Sequence, residues 1–228
     1  MVGEPDESDV DDEKGQDALH RASLVLRLRS MGITDHRLVS AFETTRREAF
    51  APEPYAADAY ADRLIPITCG QTMEAPSILA RHLQTAAVAA DMMVLEIGTG
   101  SGYFSALLGK LARRVITLER FRSLAESARQ TLEAQRINNV DVILADGMAG
   151  WSAAGPYQAI FVGGSVESPA SEWMEQLAPG GKLIAPIGPK ASAQVWVCFT
   201  KDEEGTIEQD VLGSAFAIPL ETGLARAL

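Results

Sequence analysis

The chain has 228 residues, 46% of them hydrophobic, and a formal net charge of −11 at pH 7. That is enough length and apolar content for one domain with a sizeable core. No apolar run approaches the roughly 18 residues of a membrane span, the amino-terminus lacks a signal-peptide pattern, and no basic footprint suits a nucleic acid. The expectation is a cytoplasmic protein with neither nucleic-acid nor membrane partners. Cys69 and Cys198 offer no disulfide framework and no metal-ligand spacing.

Residues 1–17 hold eight acids against one base, Lys14, so −7 of the total −11 falls on this leader. Lacking aromatic residues, the leader is expected to be a disordered solubilising tail, with residues 18–228 forming a single domain. Asp17 to Met31 reads as an amphipathic helix with Leu19, Ala22, Val25, Leu26 and Leu28 on one side and Gly32 as its stop. Thr34 can cap a second helix carrying Leu38, Val39 and Phe42. Ala51 to Pro76 is irregular, and a structureless stretch of that length in a compact domain points to function. Cys69 lies within it. Pro76 and Ser77 open a third helix with Ile78, Leu79, Leu83 and Ala86; His82, on that helix, is read as structural or solvated rather than catalytic.

From Met92 onward, strands near 92–97, 114–119, 140–145 and 157–163 alternate with helices near 102–112, 121–136 and 169–177. Strands separated by helical patterns imply βαβ units and a parallel sheet. After Pro179-Gly180-Gly181 come two further strands, Lys182 to Ile187 and Gln194 to Thr200, and then a turn at Asp202 to Gly205. Val195, Val197 and Phe199 alternate with Gln194, Trp196 and Cys198, which suggests antiparallel pairing at one sheet edge. The expected fold is α/β: a Rossmann-like, doubly wound, mostly parallel sheet with helices on both faces and an antiparallel carboxy-terminal edge.

The first of these strands runs into Glu96-Ile97-Gly98-Thr99-Gly100-Ser101-Gly102-Tyr103. Glycines let backbone approach a ligand closely. The spacing is G-x-G-x-G, with Tyr103 where the dinucleotide fingerprint wants its third glycine, and no P-loop pattern is present. This disfavours a nicotinamide oxidoreductase. It suits a nucleoside ligand that brings no phosphate to cradle, and S-adenosylmethionine is the candidate. The second strand ends in Glu119, 21 positions after Gly98 and close to the roughly 20-residue offset at which an acid meets ribose hydroxyls. The third ends in Asp146-Gly147, where an acid can accept from an adenine amino group. Glu96, Glu119 and Asp146 thus close three successive strands.

This order, with Pro179-Gly180-Gly181 before a later strand, resembles the class I S-adenosylmethionine-dependent methyltransferases. Ala59 to Ile67, followed by Gly70-Gln71-Thr72-Met73-Glu74-Ala75-Pro76, is similar to the protein-L-isoaspartate O-methyltransferases in particular. So are Tyr157 to Gly164, Gln176 to Gly188 and the closing Ala217-Ile218-Pro219-Leu220, taken as the last strand; the match spans roughly residues 18–223. The resemblance implies a repair enzyme that methylates the carboxylate of L-isoaspartyl residues in damaged peptides or proteins, acts as a monomer or weak homodimer and needs no metal. Residues 18–91 would then be a helical segment covering the substrate, 92–188 the cofactor-binding core and 189–228 the carboxy-terminal strands.

By the same resemblance Thr72 and Glu74 stand at the catalytic position. Gln71 and Met73 would meet the cofactor from the substrate-covering side. Glu96, Gly98, Thr99, Gly100, Gly102 and Tyr103 would meet it along the glycine loop. Glu119 and Arg120 would lie at the ribose, and Asp146 and Gly147 at the adenine. Gly163, Gly164 and Ser165 would line the substrate cleft. The chain departs from the family at Glu74, where the family usually has serine in a Thr-Ile-Ser run. A glutamate carboxylate at ~4 Å from an incoming carboxylate, at an effective dielectric of ~20, costs about 4 kcal/mol. Pairing with Arg63 or Arg81, or protonation in an apolar pocket, would relieve it. Two alternatives therefore stay open: a diverged member using Glu74 as general base for another nucleophile, and a non-catalytic adenosyl-binding module.

Overall fold

The computed structural model describes residues 7–190 and 192–225, with side chains from residue 18 onward. Helix α1 spans Glu7–Ser30, so helical backbone begins inside the segment expected to be disordered; residues 1–6 of that leader lie outside the described residues. Glutamate, glutamine and lysine are good helix formers, and acids near a helix amino-terminus oppose its dipole favourably. The buried face of α1 is Leu24, Val25 and Leu28, whereas Leu19 and Leu26, expected on that face, are 70% and 66% exposed. Seven residues apart, those two leucines stack on the outer face, because 3.6 residues make a turn. Gly32, at φ 86°, ends the helix as expected.

Helix α2 (His36–Thr44) buries Leu38, Val39 and Phe42 and is capped by Asp35, not Thr34: the Leu38 N–H donates to Asp35 Oδ1 at 2.9 Å. The segment expected to be irregular, 51–76, holds short 3-10 turns and a small hairpin of β1 (Ile65–Pro66) and β2 (Thr72–Met73), with Ile65 opposite Met73. Helix α3 (Pro76–Ala86) follows, with proline at its first position.

The main sheet has seven strands in the order β5-β4-β3-β6-β7-β8-β9. Five are parallel: β3 (Met93–Ile97), β4 (Arg114–Glu119), β5 (Val140–Leu144), β6 (Tyr157–Val162) and β7 (Leu177–Ile187). Strands β8 (Gln194–Lys201) and β9 (Ile207–Ala215) complete it as antiparallel edge strands. Ala217 to Leu220, expected as the last strand, makes only an isolated bridge, Ser165 to Pro219. Proline cannot donate to a ladder, which disfavours a regular strand there.

Alternation sorts the strand side chains onto two faces. Val94, Val115, Ala159, Phe161 and Ile184 join a core with α1, α2, α3 and α4 (Tyr103–Leu111). Leu95, Ile97, Ile116, Leu118, Ile160 and Leu183 join a second core capped by α6 (Ser171–Gln176), whose Trp173 is fully buried. Helix α4 links β3 to β4, and α5 (Arg122–Ala134) links β4 to β5, both stepping the chain one way across the sheet. The chain then returns so that β6 pairs with the other side of β3. Strand order thus reverses between β3 and β6, and in open α/β sheets the crevice beyond the carboxyl ends of such strands is where ligands bind.

Candidate active site at the β3/β6 switch point

At this switch point β3 and β6 end in Gly98 and Gly163, and the Gly163 N–H donates to Ile97 O at 2.8 Å. Gly98, Gly100 and Gly102 have φ of 94°, 54° and 85°, a region that side-chain-bearing residues rarely adopt. The loop is fixed from beneath by Glu119. Its Oε2 accepts from the Gly100 N–H and its Oε1 from the Phe121 N–H, both at 2.9 Å. Burial raises the Glu119 carboxyl above the ordinary carboxylate value, and those backbone donors pull it back. On the neighbouring strand Asp146 Oδ1 accepts from the Met148 N–H at 2.9 Å, capping a tight turn, while Oδ2 accepts from the Gly223 N–H at 2.7 Å.

These groups open onto a cleft of about 310 Å³, lined by Gln71, Thr72, Gly98, Gly100, Glu119, Arg120, Asp146, Gly147, Gly163 and Gly164 among others. That lies at the lower end of the roughly 300–1,000 Å³ of small-molecule sites. A Cβ on Gly147 would stand 2.4 Å from Ile97 Cγ2, so the wall there has no room for a side chain. Trp173, from the far side of the sheet, donates its Nε1–H to Gly147 O at 2.8 Å and holds that wall in place.

A second, narrower cavity of about 90 Å³ shares Thr72, Gly98, Gly100 and Gly163 with the cleft and runs inward beneath the loop. Leu79, Phe104, Phe161, Ile184 and Trp196 make its apolar walls, and Met73, Glu74, Glu96, Thr99 and Tyr103 also line it. Glu96 is buried, accepts from the Ser105 hydroxyl, and is pushed up by burial to about 8. His82 stacks edge-on against Trp196 at 4.2 Å, and burial pushes its imidazole down to about 3, so of the structural and solvated positions expected it takes the buried one.

Glu74 is held by its own neighbourhood. Its Oε1 accepts from the Ala75 N–H at 2.6 Å, and its carbonyl accepts from Arg47 Nη2 at 2.7 Å. Burial raises its carboxyl above the usual range; the positive charge of Arg47 opposes that shift and Asp62 adds to it. The cation beside Glu74 is therefore Arg47, not Arg63 or Arg81. Arg63 pairs with Asp58 at 2.6 Å on the surface. Arg47 is fully buried: Nε donates to Ala59 O at 2.6 Å, and Cζ sits 4.5 Å above the Tyr103 ring. Arg47 Nη1 and the Tyr103 hydroxyl, both buried, have no hydrogen-bond partner.

Most of the sequence-predicted residues thus converge, but on two hollows. Met73, Glu74, Glu96, Thr99 and Tyr103 line only the inner cavity. Two residues line neither. Gly102 is the left-handed cap of α4, packed against Ala128. Ser165, expected in the substrate cleft, is buried, accepts from Gln194 Nε2 at 2.9 Å, and pins the carboxy-terminal segment through backbone bonds to Ile218 and Leu220. Arg120 lines the cleft and donates from Nε to Gly223 O at 3.0 Å and from Nη1 to Glu221 at 2.9 Å. Sequence reasoning missed Arg47 and the cleft wall formed by Ile218 to Glu221. No local motif marks either, since each acts through contacts distant along the chain.

A glycine loop after the first parallel strand, acids closing the next two, and no phosphate cradle define a Rossmann-like, S-adenosylmethionine-dependent methyltransferase. Comparison with known proteins narrows the class. The family model described as protein-L-isoaspartate(D-aspartate) O-methyltransferase (PCMT) matches residues 19–225. A protein-L-isoaspartate O-methyltransferase of Maricaulis maris is 39% identical over 205 residues, covering 90% of this chain and 95% of that protein. One from Koribacter versatilis is also 39% identical, covering 89% of this chain and 91% of its own length. Among solved structures, a protein-L-isoaspartate O-methyltransferase superposes with a TM-score of 0.81 at 27% identity, covering 90% of this chain and 67% of that one. A Plasmodium falciparum structure of the same type, in complex with S-adenosyl-L-homocysteine, gives 0.76 at 25% identity, covering 89% of this chain and 98% of that one. The chain belongs to the protein-L-isoaspartate(D-aspartate) O-methyltransferase family.

Proposed function

We propose that this protein methylates the carboxylate of L-isoaspartyl residues in damaged peptides, using S-adenosylmethionine. The observation that carries the reading is the pair of adjoining hollows at the switch point, which share Thr72, Gly98, Gly100 and Gly163 as walls. The residues present fit the cofactor: glycines at positive φ where it would pass, a wall at Gly147 without space for a Cβ, and two carboxyl groups, Glu74 and Glu96, lining the inner cavity. Glu119 and Asp146 would hold its adenosine in the cleft, and the inner cavity would take its amino-acid end. When bound, S-adenosylmethionine supplies a sulfonium methyl that a carboxylate oxygen can accept without a general base.

The chain's own work is alignment and exclusion of water. Thr72 lines both hollows, and its hydroxyl would hold an incoming carboxylate by a hydrogen bond. Gly163 and Gly164 leave backbone, not side chain, along the substrate's approach. A peptide or protein substrate, a monomer or weak homodimer and a cytoplasmic setting complete the reading. The net charge of −11 supports a partner other than nucleic acid, and no helix among the described residues is long and apolar enough to cross a membrane. A second reading makes Glu74 a general base for a neutral nucleophile, favoured by the upward shift that burial gives its carboxyl. The test is methyl transfer from labelled cofactor to an isoaspartyl peptide and its aspartyl twin. Base-labile label on the first alone is expected; label on neither would turn the search to other nucleophiles.

A further inference from the structure

We propose that Glu74 recognises the α-ammonium of the cofactor's amino-acid end and is therefore a cofactor-specificity residue, not an obstacle to the substrate. The inference rests on the methyltransferase reading above. Its first support is position. Glu74 lines the inner cavity of about 90 Å³ and does not line the cleft of about 310 Å³, although the two hollows share Thr72, Gly98, Gly100 and Gly163 as wall residues. An elongated ligand with its nucleoside against Glu119 must extend over the glycine loop into that cavity, so its far end reaches Glu74.

The second support is chemistry. The cavity walls are largely apolar, so a cation entering there needs an anion. The two carboxyl groups are unequal. Glu96 already takes the Ser105 hydroxyl, and burial holds it neutral at pH 7. Glu74 has one oxygen on the Ala75 N–H, and the Arg47 cation that bonds its carbonyl opposes the upward pull of burial on its carboxyl. The third support is geometric. Tyr103 lines the same cavity, and the buried Arg47 guanidinium stands 4.5 Å over its ring, on the far side of that wall from the space. A zwitterionic amino-acid end carries both charges, and its ammonium has Glu74 to meet.

The test pairs a truncated ligand with a substituted residue. S-adenosylhomocysteine carries the amino-acid end; 5′-methylthioadenosine keeps the adenosine and sulfur and lacks it. Titration calorimetry of both ligands against the full-length protein and Glu74→Gln is expected to show S-adenosylhomocysteine weakened about 10- to 100-fold, the range of a lost charge-assisted hydrogen bond. Binding of 5′-methylthioadenosine should change less than about twofold on the same scale. Glu74→Asp, which keeps the charge, should recover part of the affinity and shows that the site folds. Equal S-adenosylhomocysteine affinity in wild type and Glu74→Gln would overturn the proposal. So would equal losses for both ligands, which would make Glu74 a residue that shapes the whole loop. If the wild-type protein bound neither ligand, the cofactor reading itself would fall, an outcome distinct from both.

Discussion

The outer cleft and the inner cavity are built on opposite plans. In the cleft the polar groups are already satisfied: both oxygens of Glu119 and both of Asp146 accept backbone N–H groups. The two carboxyls that line the cavity are pushed upward by burial, and beside its Tyr103 wall the Arg47 Nη1 is buried without a hydrogen-bond partner. A preorganised end suits a constant moiety such as adenosine. An unsatisfied end gains most when a ligand arrives, so it can discriminate between ligands.

The comparison can be broken most strongly at Gly147. Gly147→Ala places a Cβ 2.4 Å from Ile97 Cγ2, an overpacking worth about 1–3 kcal/mol, so affinity for every adenosine ligand should fall about 10- to 100-fold. Calorimetry with 5′-methylthioadenosine reads this directly. Glu119→Gln should come next. It trades two charge-assisted bonds for at most one neutral one, costing roughly 1.5–3 kcal/mol. It should weaken S-adenosylhomocysteine and 5′-methylthioadenosine alike, unlike Glu74→Gln.

Glu96 sharpens the inner side through pH. Its folded value of about 8 lies above its ordinary 4.5. Stability that depends on its protonated form is complete below the unfolded value and lost as pH rises through the folded one. Denaturant unfolding should therefore show Glu96→Gln gaining on the wild type between pH 5 and 9, by an amount on the order of a few kcal/mol. An unchanged difference across that range would mean that Glu96 is not held neutral. Trp173→Phe removes the hydrogen bond to Gly147 O and should lower Tm by a few degrees, from a loss of about 1 kcal/mol. The smallest effect belongs to Arg63→Ala. Its pair with Asp58 is more than half exposed on both sides, and such pairs contribute ~0–1 kcal/mol, so methylation and Tm should barely move.

The outer cleft was legible in the sequence because its parts are local. Gly98, Gly100 and Glu119 lie within one βαβ unit, and strand-terminal acids announce themselves by spacing. The inner cavity was not. Arg47 acts through Ala59, Glu74 and Tyr103, each far along the chain, and a single arginine beside Arg46 carries no periodic signal. The carboxy-terminal wall escaped for a related reason. Ser165 reads as a cleft residue by its neighbours Gly163 and Gly164, yet Gln194 and the 217–220 segment draw its hydroxyl inward. On α1, Leu26 was misplaced because adjacent leucines at 24, 26 and 28 leave the helical phase to tertiary packing.

The most direct test of this division of labour is a crystal structure with S-adenosylhomocysteine bound. The predicted result puts the ribose against Glu119, the adenine beside Asp146 and Gly147, and the amino-acid end in the inner cavity with its ammonium on Glu74. An amino-acid end lying outside that cavity, with Glu74 turned toward the substrate opening, would contradict it.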